Sequence, residues 1–390
     1  LSQTIFRSTP AQAAEAAAGS PRGEVGDAVR PAEDQAEAAR GDDQDALDLT
    51  PEEALQERLI DKGFKTIVEA RKFAAGLGIT GSNKEIDETI EKAVVQAARS
   101  IVLNALTSDI SGQANQRETF DALLALYENQ PNLSSRTGTS VANQAYSTPV
   151  PLAFVASRLA GVVGADHVLE PTAGNGALLI EAGQGTNDEV FANELDPSRA
   201  EALREQGFNV KSEDATDPDL VKPKSADAVI MNPPFGAVKD GGKSKVFEVD
   251  GWETTQIDHA IALNALEAMT DDGRAVLILG GTKSEKTEER RKDYRGKAKR
   301  EFYARLYKDY NVTDHFTVSG DLYTKQGASW PVDVIVIDGR GKSERKLPAA
   351  QPPVILKTWD QVAEKLPNAT SAGRNELAAR PVDRQAGKPD

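Results

Sequence analysis

The chain has 390 residues, a formal net charge of −15 and no cysteine. The missing thiol excludes disulfides, thiolate metal sites and a cysteine nucleophile. No run of eighteen apolar residues reads as a transmembrane helix, and no apolar signal segment opens the chain, which fits a cytoplasmic protein of a bacterium or of a phage-infected host. Residues 1–53 carry twelve acids against four bases, so they supply −8 of the total charge. With almost no large apolar side chains, they are expected to form a disordered acidic linker. The acidity therefore belongs largely to one segment and does not argue against a nucleic-acid partner. The chain begins at Leu1, which is expected to mark a segment of a longer polypeptide.

Residues 54–130 read as a helical unit, with helices near Pro51–Leu59, Phe64–Ala75, Lys84–Thr107 and Arg117–Glu128. In the third, Ile86, Ile90, Ala93, Val94 and Ala97 follow helical spacing. Packing against the following domain is the favoured role, and contact with DNA is the alternative. Residues 130–145 are polar and loop-like, and Arg136–Ser140 are placed to approach a ligand.

Residues 131–340 alternate strands and helices, the pattern of a parallel α/β sheet. Val168–Pro171 reads as a strand entering a glycine-bearing turn, Thr172-Ala173-Gly174-Asn175-Gly176. Gly174 and Gly176 let backbone approach a ligand at the strand's carboxyl end. The turn lacks the third glycine of the dinucleotide fingerprint, so a cofactor without a pyrophosphate is expected. A second strand, Glu189–Asn193, ends at Glu194, 24 residues after Glu170. An acid there is placed to accept hydrogen bonds from both hydroxyls of a ribose. A third ends near Asp214, which is placed to accept from an adenine amino group.

The apolar run Ala226–Met231 reads as a buried parallel strand, and it delivers Asn232-Pro233-Pro234-Phe235. Two prolines fix φ and remove two N–H groups, leaving a stiff loop whose carbonyls are free to act as acceptors. The Asn232 side-chain oxygen and the Pro233 carbonyl can accept both hydrogens of an exocyclic –NH2, and Phe235 can stack on the ring that carries it. The competing reading is a Pro-rich loop that merely ends a strand. Residues 237–251 hold glycines with Lys239, Lys243 and Lys245, and are expected to form a mobile loop over the site. A helix (Ile257–Met269) and a strand (Arg274–Gly280) follow. His259 either lines the site or is a satisfied helix histidine, whereas His167 is expected to be structural. No HxxxH or HExxH pair exists, and no metal is expected.

Thr282–Tyr310 carries eleven bases and six acids with interleaved tyrosines and Phe302. It reads either as a solvated helix face or as a phosphate-contacting element through Arg290, Arg291, Lys297 and Arg300. Two last strands, Asp314–Ser319 and Val332–Asp338, complete a seven-stranded sheet with an antiparallel edge. Residues 341–390 read as a Pro-rich tail or linker with one short helix near Trp359–Leu366.

Taken together, these motifs resemble the S-adenosylmethionine (SAM)-dependent methyltransferases, and specifically the amino-group DNA methyltransferases that carry NPPF. The resemblance covers Tyr146 to Arg340, about half the chain. It implies a Rossmann-like seven-stranded SAM-dependent methyltransferase sheet. It also implies that Tyr146, Thr148 and Pro149 close over the methionine part of the cofactor. In the same scheme, Glu170, Pro171, Thr172, Ala173, Gly174 and Gly176 hold its amino-acid moiety, Glu194 and Leu195 the ribose, and Asp214 and Ala215 the adenine. Asn232 to Phe235 would receive the target base. The motif order is that of enzymes methylating N6 of adenine, and the absence of cysteine removes cytosine-C5 methylation. The implied partner is DNA, with the target base flipped out of the duplex at a cost of a few kcal/mol.

One departure and one further likeness bear on function. Such enzymes usually carry a large C-terminal domain that reads sequence, whereas only about fifty residues follow the last expected strand here. Weak sequence specificity is therefore expected, unless the N-terminal helices or a longer parent supply it. The segment Gln130–Thr148 is also similar to the methyltransferase part of large phage and plasmid proteins linked to helicases and to protection of incoming DNA against restriction. The alternatives are methylation of ribosomal RNA or of a protein glutamine. In a different class, the chain is a catalytically silent module that binds nucleic acid.

Overall fold

The computed structural model describes residues 49–108, 116–133, 147–182, 189–327 and 329–367. The expectations for residues 1–48, Arg136–Ser140 and Tyr146 lie outside them. Four helices come first: α1 (Pro51–Asp61), α2 (Ile67–Gly76), α3 (Asn83–Ser108) and α4 (Gln116–Asn129). Their boundaries follow from local chemistry. Thr50 and Glu53 form a reciprocal capping box ahead of Pro51, and the Thr66 hydroxyl caps α2 by accepting from Glu69 N–H. A fifth helix, α5 (Val150–Ala160), is buried over nearly its whole surface.

The remaining helices are α6 (Pro197–Glu205), α7 (Ile257–Glu267), α8 (Thr287–Tyr294), α9 (Lys297–Asp309) and α10 (Trp359–Ala363). The main strands are β1 (His167–Glu170), β2 (Glu189–Asn193), β3 (Asn209–Lys211), β4 (Ala226–Met231), β9 (Met269–Gly280), β10 (Tyr310–Val318), β11 (Val332–Arg340) and β12 (Val354–Leu356). Residues 237–251 were expected as one mobile loop, but residues 239–254 contain two small hairpins: β5 (Lys239–Asp240) with β6 (Lys243–Ser244), and β7 (Phe247–Val249) with β8 (Trp252–Thr254). Phe247, Val249 and Trp252 are buried beneath α7.

The sheet has eight strands in the order β12-β10-β11-β9-β4-β1-β2-β3. The seven expected strands are all present. The antiparallel strand, however, is not at the edge. β11 lies between β9 and β10 and runs against both, with Ile335 opposite Leu277 on one side and His315 on the other. The edge is β12, which pairs parallel with β10 and comes from the stretch expected to be a linker. That stretch is fastened further by Ser343, which donates to Val312 O, and by the Lys365–Asp314 ion pair. A three-residue strand has too little pattern to announce itself in sequence.

Both faces of the sheet are covered, which is why β4 reads as an unbroken apolar run. Ala228 and Ile230 face a core shared with α1–α5, whereas Val229 and Met231 face one shared with α7 and α9. Leu55, Leu59, Phe120 and Leu123 belong to the same core as Phe154, Ile230 and Val276. The four leading helices are therefore a layer of this domain. After β1 the chain moves to β2 on one side and returns to β4 on the other, so a crevice opens beyond the carboxyl ends of β1 and β4. Among the described residues, no helix is long and apolar enough to cross a membrane.

Candidate active site

A cavity of about 600 Å³ fills that crevice. Its floor is the turn after β1. Glu170 ends the strand and is 1 % exposed. Its Oε1 accepts from Thr172 N–H (3.1 Å) and the Thr172 hydroxyl (3.2 Å), while Oε2 has no partner. Burial pushes its carboxyl up to about 8, against the pull of the Thr172 hydrogen bonds. Gly174 lines the cavity at φ +56°, a left-handed conformation that glycine adopts without strain, and a Cβ there would meet only open space. That space is available to a ligand. Gly176 does not line the cavity; at φ +86° its bare Cα accommodates Leu203, which a Cβ would approach to 3.0 Å.

The second wall comes from β2. Glu194 Oε2 accepts from Gly174 N–H and Oε1 from Asp196 N–H, both at 2.8 Å. The preceding residue, Asn193, had no expected role, yet it joins three segments. Its Nδ2 donates to Pro171 O (3.1 Å) and Glu213 O (2.9 Å), and its Oδ1 accepts from Glu213 N–H (3.0 Å). The β1 turn and the loop after β3 are thus fixed to one buried amide. Asp214 lines the cavity with Ala215. Its Oδ1 closes a turn by accepting from the N–H and hydroxyl of Thr216, and its Oδ2 lies 3.7 Å from Lys245 Nζ. Although burial pushes its carboxyl up, these contacts hold it below its ordinary value.

The third wall is the loop after β4. Asn232, Pro233, Pro234 and Phe235 all line the cavity. Asn232 Nδ2 donates to the Thr148 hydroxyl at 2.9 Å, and Asn232 Oδ1 is buried without a hydrogen-bond partner. An unpaired buried acceptor costs about 1–3 kcal/mol. Asp258 anchors the loop's far end, accepting from Gly236 N–H (3.2 Å) and Gly280 N–H (3.4 Å). Phe235 packs against Gly280, where a Cβ would stand 3.2 Å from its own Cβ.

The roof includes residues that sequence reasoning missed. Lys84 and Glu88 of α3 line the cavity beside Ser147 and Thr148, as does Arg199 of α6. Glu91, one turn further along α3, accepts from the Ser147 hydroxyl and lies 4.0 Å from Arg199. Leu195, Pro171, Thr172 and Ala173 line the cavity as expected. Pro149 stands just outside it, as the N-cap of α5.

The expected phosphate contacts divide. Arg290 is buried, donating to Pro353 O (2.6 Å) and the Thr317 hydroxyl (2.8 Å). It fastens α8 to the β12 side of the sheet and is not available to a phosphate. Arg291 pairs with Glu288 (2.6 Å), and Arg300 lies near Glu301 (3.7 Å). Lys243 is exposed on its hairpin, Lys297 opens α9, and Lys245 lies over the Phe247 ring as well as near Asp214. The histidines stand apart from the cavity. His167 lies 3.3 Å from Asp227, and His259 is stacked on Phe302 with its basicity lowered by burial. His315 accepts or donates to the Tyr307 hydroxyl (2.8 Å) beside the buried Asp333.

No family model and no curated protein matches this chain. Solved structures similar to it include a modification subunit of a putative type I restriction enzyme from Vibrio vulnificus YJ016, at 13 % identity and TM-score 0.44, covering 76 % of this chain and 61 % of that one. A structure concerning complex assembly and conformational transition of the type I R-M system is similar at 14 % identity and TM-score 0.42, covering 82 % and 67 %. A putative class I SAM-dependent methyltransferase from Listeria monocytogenes is similar at 14 % identity and TM-score 0.41, covering 80 % and 96 %. The chain spans about three-fifths of the first of these. At such identities the likeness concerns fold alone.

Proposed function

We propose that this chain transfers a methyl group from SAM to the exocyclic N6 of adenine in DNA. The observation that carries the reading is Asn232. Its amide nitrogen is held by Thr148, and its amide oxygen is a buried, unpartnered acceptor in the wall of the cavity. An amino group on a planar base supplies the missing donor.

The residues present fit the cofactor. SAM carries a net positive charge, and the cavity lining includes the carboxylates of Glu88, Glu194, Asp196, Glu213 and Asp214. Open space beside Gly174 admits a ligand close to backbone. Glu194 directly follows β2, where a ribose acceptor is expected, and Asp214 and Ala215 stand beyond β3, where an adenine would lie. When bound, SAM supplies a methyl group already activated by its sulfonium.

What remains for the protein is placement and charge. Asn232 Oδ1 and the Pro233 carbonyl accept the two N–H bonds of the amine. This draws the nitrogen's lone pair out of the ring and stabilises positive charge developing on it. Phe235 offers a stacking surface for the base. The loop holds acceptors and no titratable base, so the methylated amine, positively charged after transfer, gives up its proton to water. We also propose low sequence specificity. A role in protecting phage or plasmid DNA from restriction in the bacterial cytoplasm is consistent with that.

The deciding experiment incubates the chain with labelled SAM and unmethylated DNA, then identifies methylated nucleosides by nuclease digestion and mass spectrometry. N6-methyladenine, absent with Asn232→Ala, is the expected result. Measurable SAM binding with no methylated nucleoside would overturn the DNA assignment.

A further inference from the structure

Trp330 has 45 % of its surface exposed, whereas Trp252 is buried and Trp359 packs edge-on against Tyr127. It stands two residues before the start of β11. Because β11 runs antiparallel, that start lies at the edge of the sheet where β9 ends and the cavity opens. The indole is not loose. Its Nε1 donates to Gly281 O at 3.2 Å, and Gly281 N–H donates back to Pro331 O at 2.9 Å. The Lys283 ammonium stands 4.2 Å from the centre of the ring. The residue before Gly281 is Gly280, the one against which Phe235 packs. Consecutive residues of one strand end therefore carry the aromatic ring of the base-receiving loop and an exposed indole backed by a cation.

An exposed tryptophan pinned by its edge contributes little to the core and keeps a flat apolar surface in water. The partner that such a surface fits is also flat, and the lysine over the ring asks that it carry negative charge. A nucleotide meets both requirements through its base and its phosphate. Resting on the DNA reading above, we propose that Trp330 and Lys283 form a stacking platform for a nucleotide flanking the target base. Phe235 takes the base that reacts, and Trp330 holds the strand beside it.

The test uses the full chain, SAM and an adenine-containing DNA oligonucleotide. Trp330→Ala is expected to raise KM for DNA about tenfold or more, with SAM affinity unchanged, and Trp330→Phe to keep most of the wild-type value. Lys283→Ala should lower the salt dependence of DNA binding by about one phosphate contact. DNA should quench the tryptophan emission of the wild type and not that of Trp330→Phe. Unchanged KM in Trp330→Ala, with quenching that survives Trp330→Phe, would overturn the platform while leaving the methyl-transfer reading intact. A wild type that neither binds nor methylates DNA overturns that reading first, before any variant is made, and the platform falls with it.

Discussion

Thr148 Oγ1 and Asn232 Nδ2 lie 2.9 Å apart, joining the segment before α5 to the loop after β4. The contact fixes which way the Asn232 amide faces, because a nitrogen committed to Thr148 leaves the oxygen for a donor. The resemblance assigned Thr148 to the cofactor. The proposed function adds a second task, that of holding the Asn232 amide in position. Thr148→Val should leave the amide free to turn and reduce kcat about tenfold, the worth of roughly one hydrogen bond, while Thr148→Ser restores it. Single-turnover rates for the three proteins decide this. Equal rates in wild type and Thr148→Val would remove Thr148 from the mechanism.

Asn232 itself carries more. Asn232→Ala should lower kcat by roughly 10²–10³ with SAM affinity nearly unchanged, as expected when a stabilising partner of the transition state is lost. Isothermal titration with SAM, beside the rate measurement, separates the two effects. A parallel loss of cofactor binding would mean that the loop shapes the cofactor site and is not specific to the amine.

Glu170 sets a pH dependence. Burial holds its carboxyl at about 8 in the folded chain, above its ordinary value of roughly 4.3. Between these values the unfolded chain is ionised and the native one keeps its proton. The native state then binds more protons, and stability falls as pH rises through that window, by at most about 1.4 kcal/mol per pH unit. Glu181, pushed up to about 7 by burial despite Arg158, contributes with the same sign. Glu170→Gln should match the wild type at pH 5 and exceed it at pH 8. Urea midpoints at both values test this, and equal midpoints at pH 8 would refute it.

Asn193 is the keystone of the cofactor walls. Asn193→Ala strands Pro171 O and both backbone groups of Glu213, and should cost about 2–4 kcal/mol. It should also weaken SAM binding, because Asn193 both lines the cavity and fixes two of its loops. Denaturation and calorimetry on the same variant test the pair of effects. Full stability would show that solvent replaces the amide.

Arg290 separates architecture from phosphate contact. Its guanidinium is buried against Pro353 and Thr317. Arg290→Met should therefore lower stability by about 3 kcal/mol and leave the salt dependence of DNA binding as it was. A reduced salt slope in a fully stable variant would return Arg290 to the DNA surface.

The cavity lining was readable where it lay in short stretches with a recognisable order. Glu170 to Asn175, Glu194, Asp214 and Asn232 to Phe235 stand around one cavity. The unreadable part depends on contacts between distant segments. Asn193 looks like any polar residue at a strand end, and nothing local to Asp258 says that it will take Gly236 and Gly280. Lys84 and Glu88 sit on the polar side of a helix whose apolar spacing was clear, but the direction of that side is a tertiary fact. Arg290 was misplaced because a dense charge run hides the one member that turns inward.

The shared cavity has a last consequence. α3 lends Lys84 and Glu88 to the same walls as the strand-end loops, while its apolar side lies in the core with α1 and α4. Whatever occupies the cavity therefore clasps the leading helices to the central sheet. Linkage makes that reciprocal: a ligand that gains from α3 must also hold α3 in place. The amides of this helix should exchange with solvent more slowly once the cavity is filled, and substitutions along it that touch no loop should appear as altered affinity.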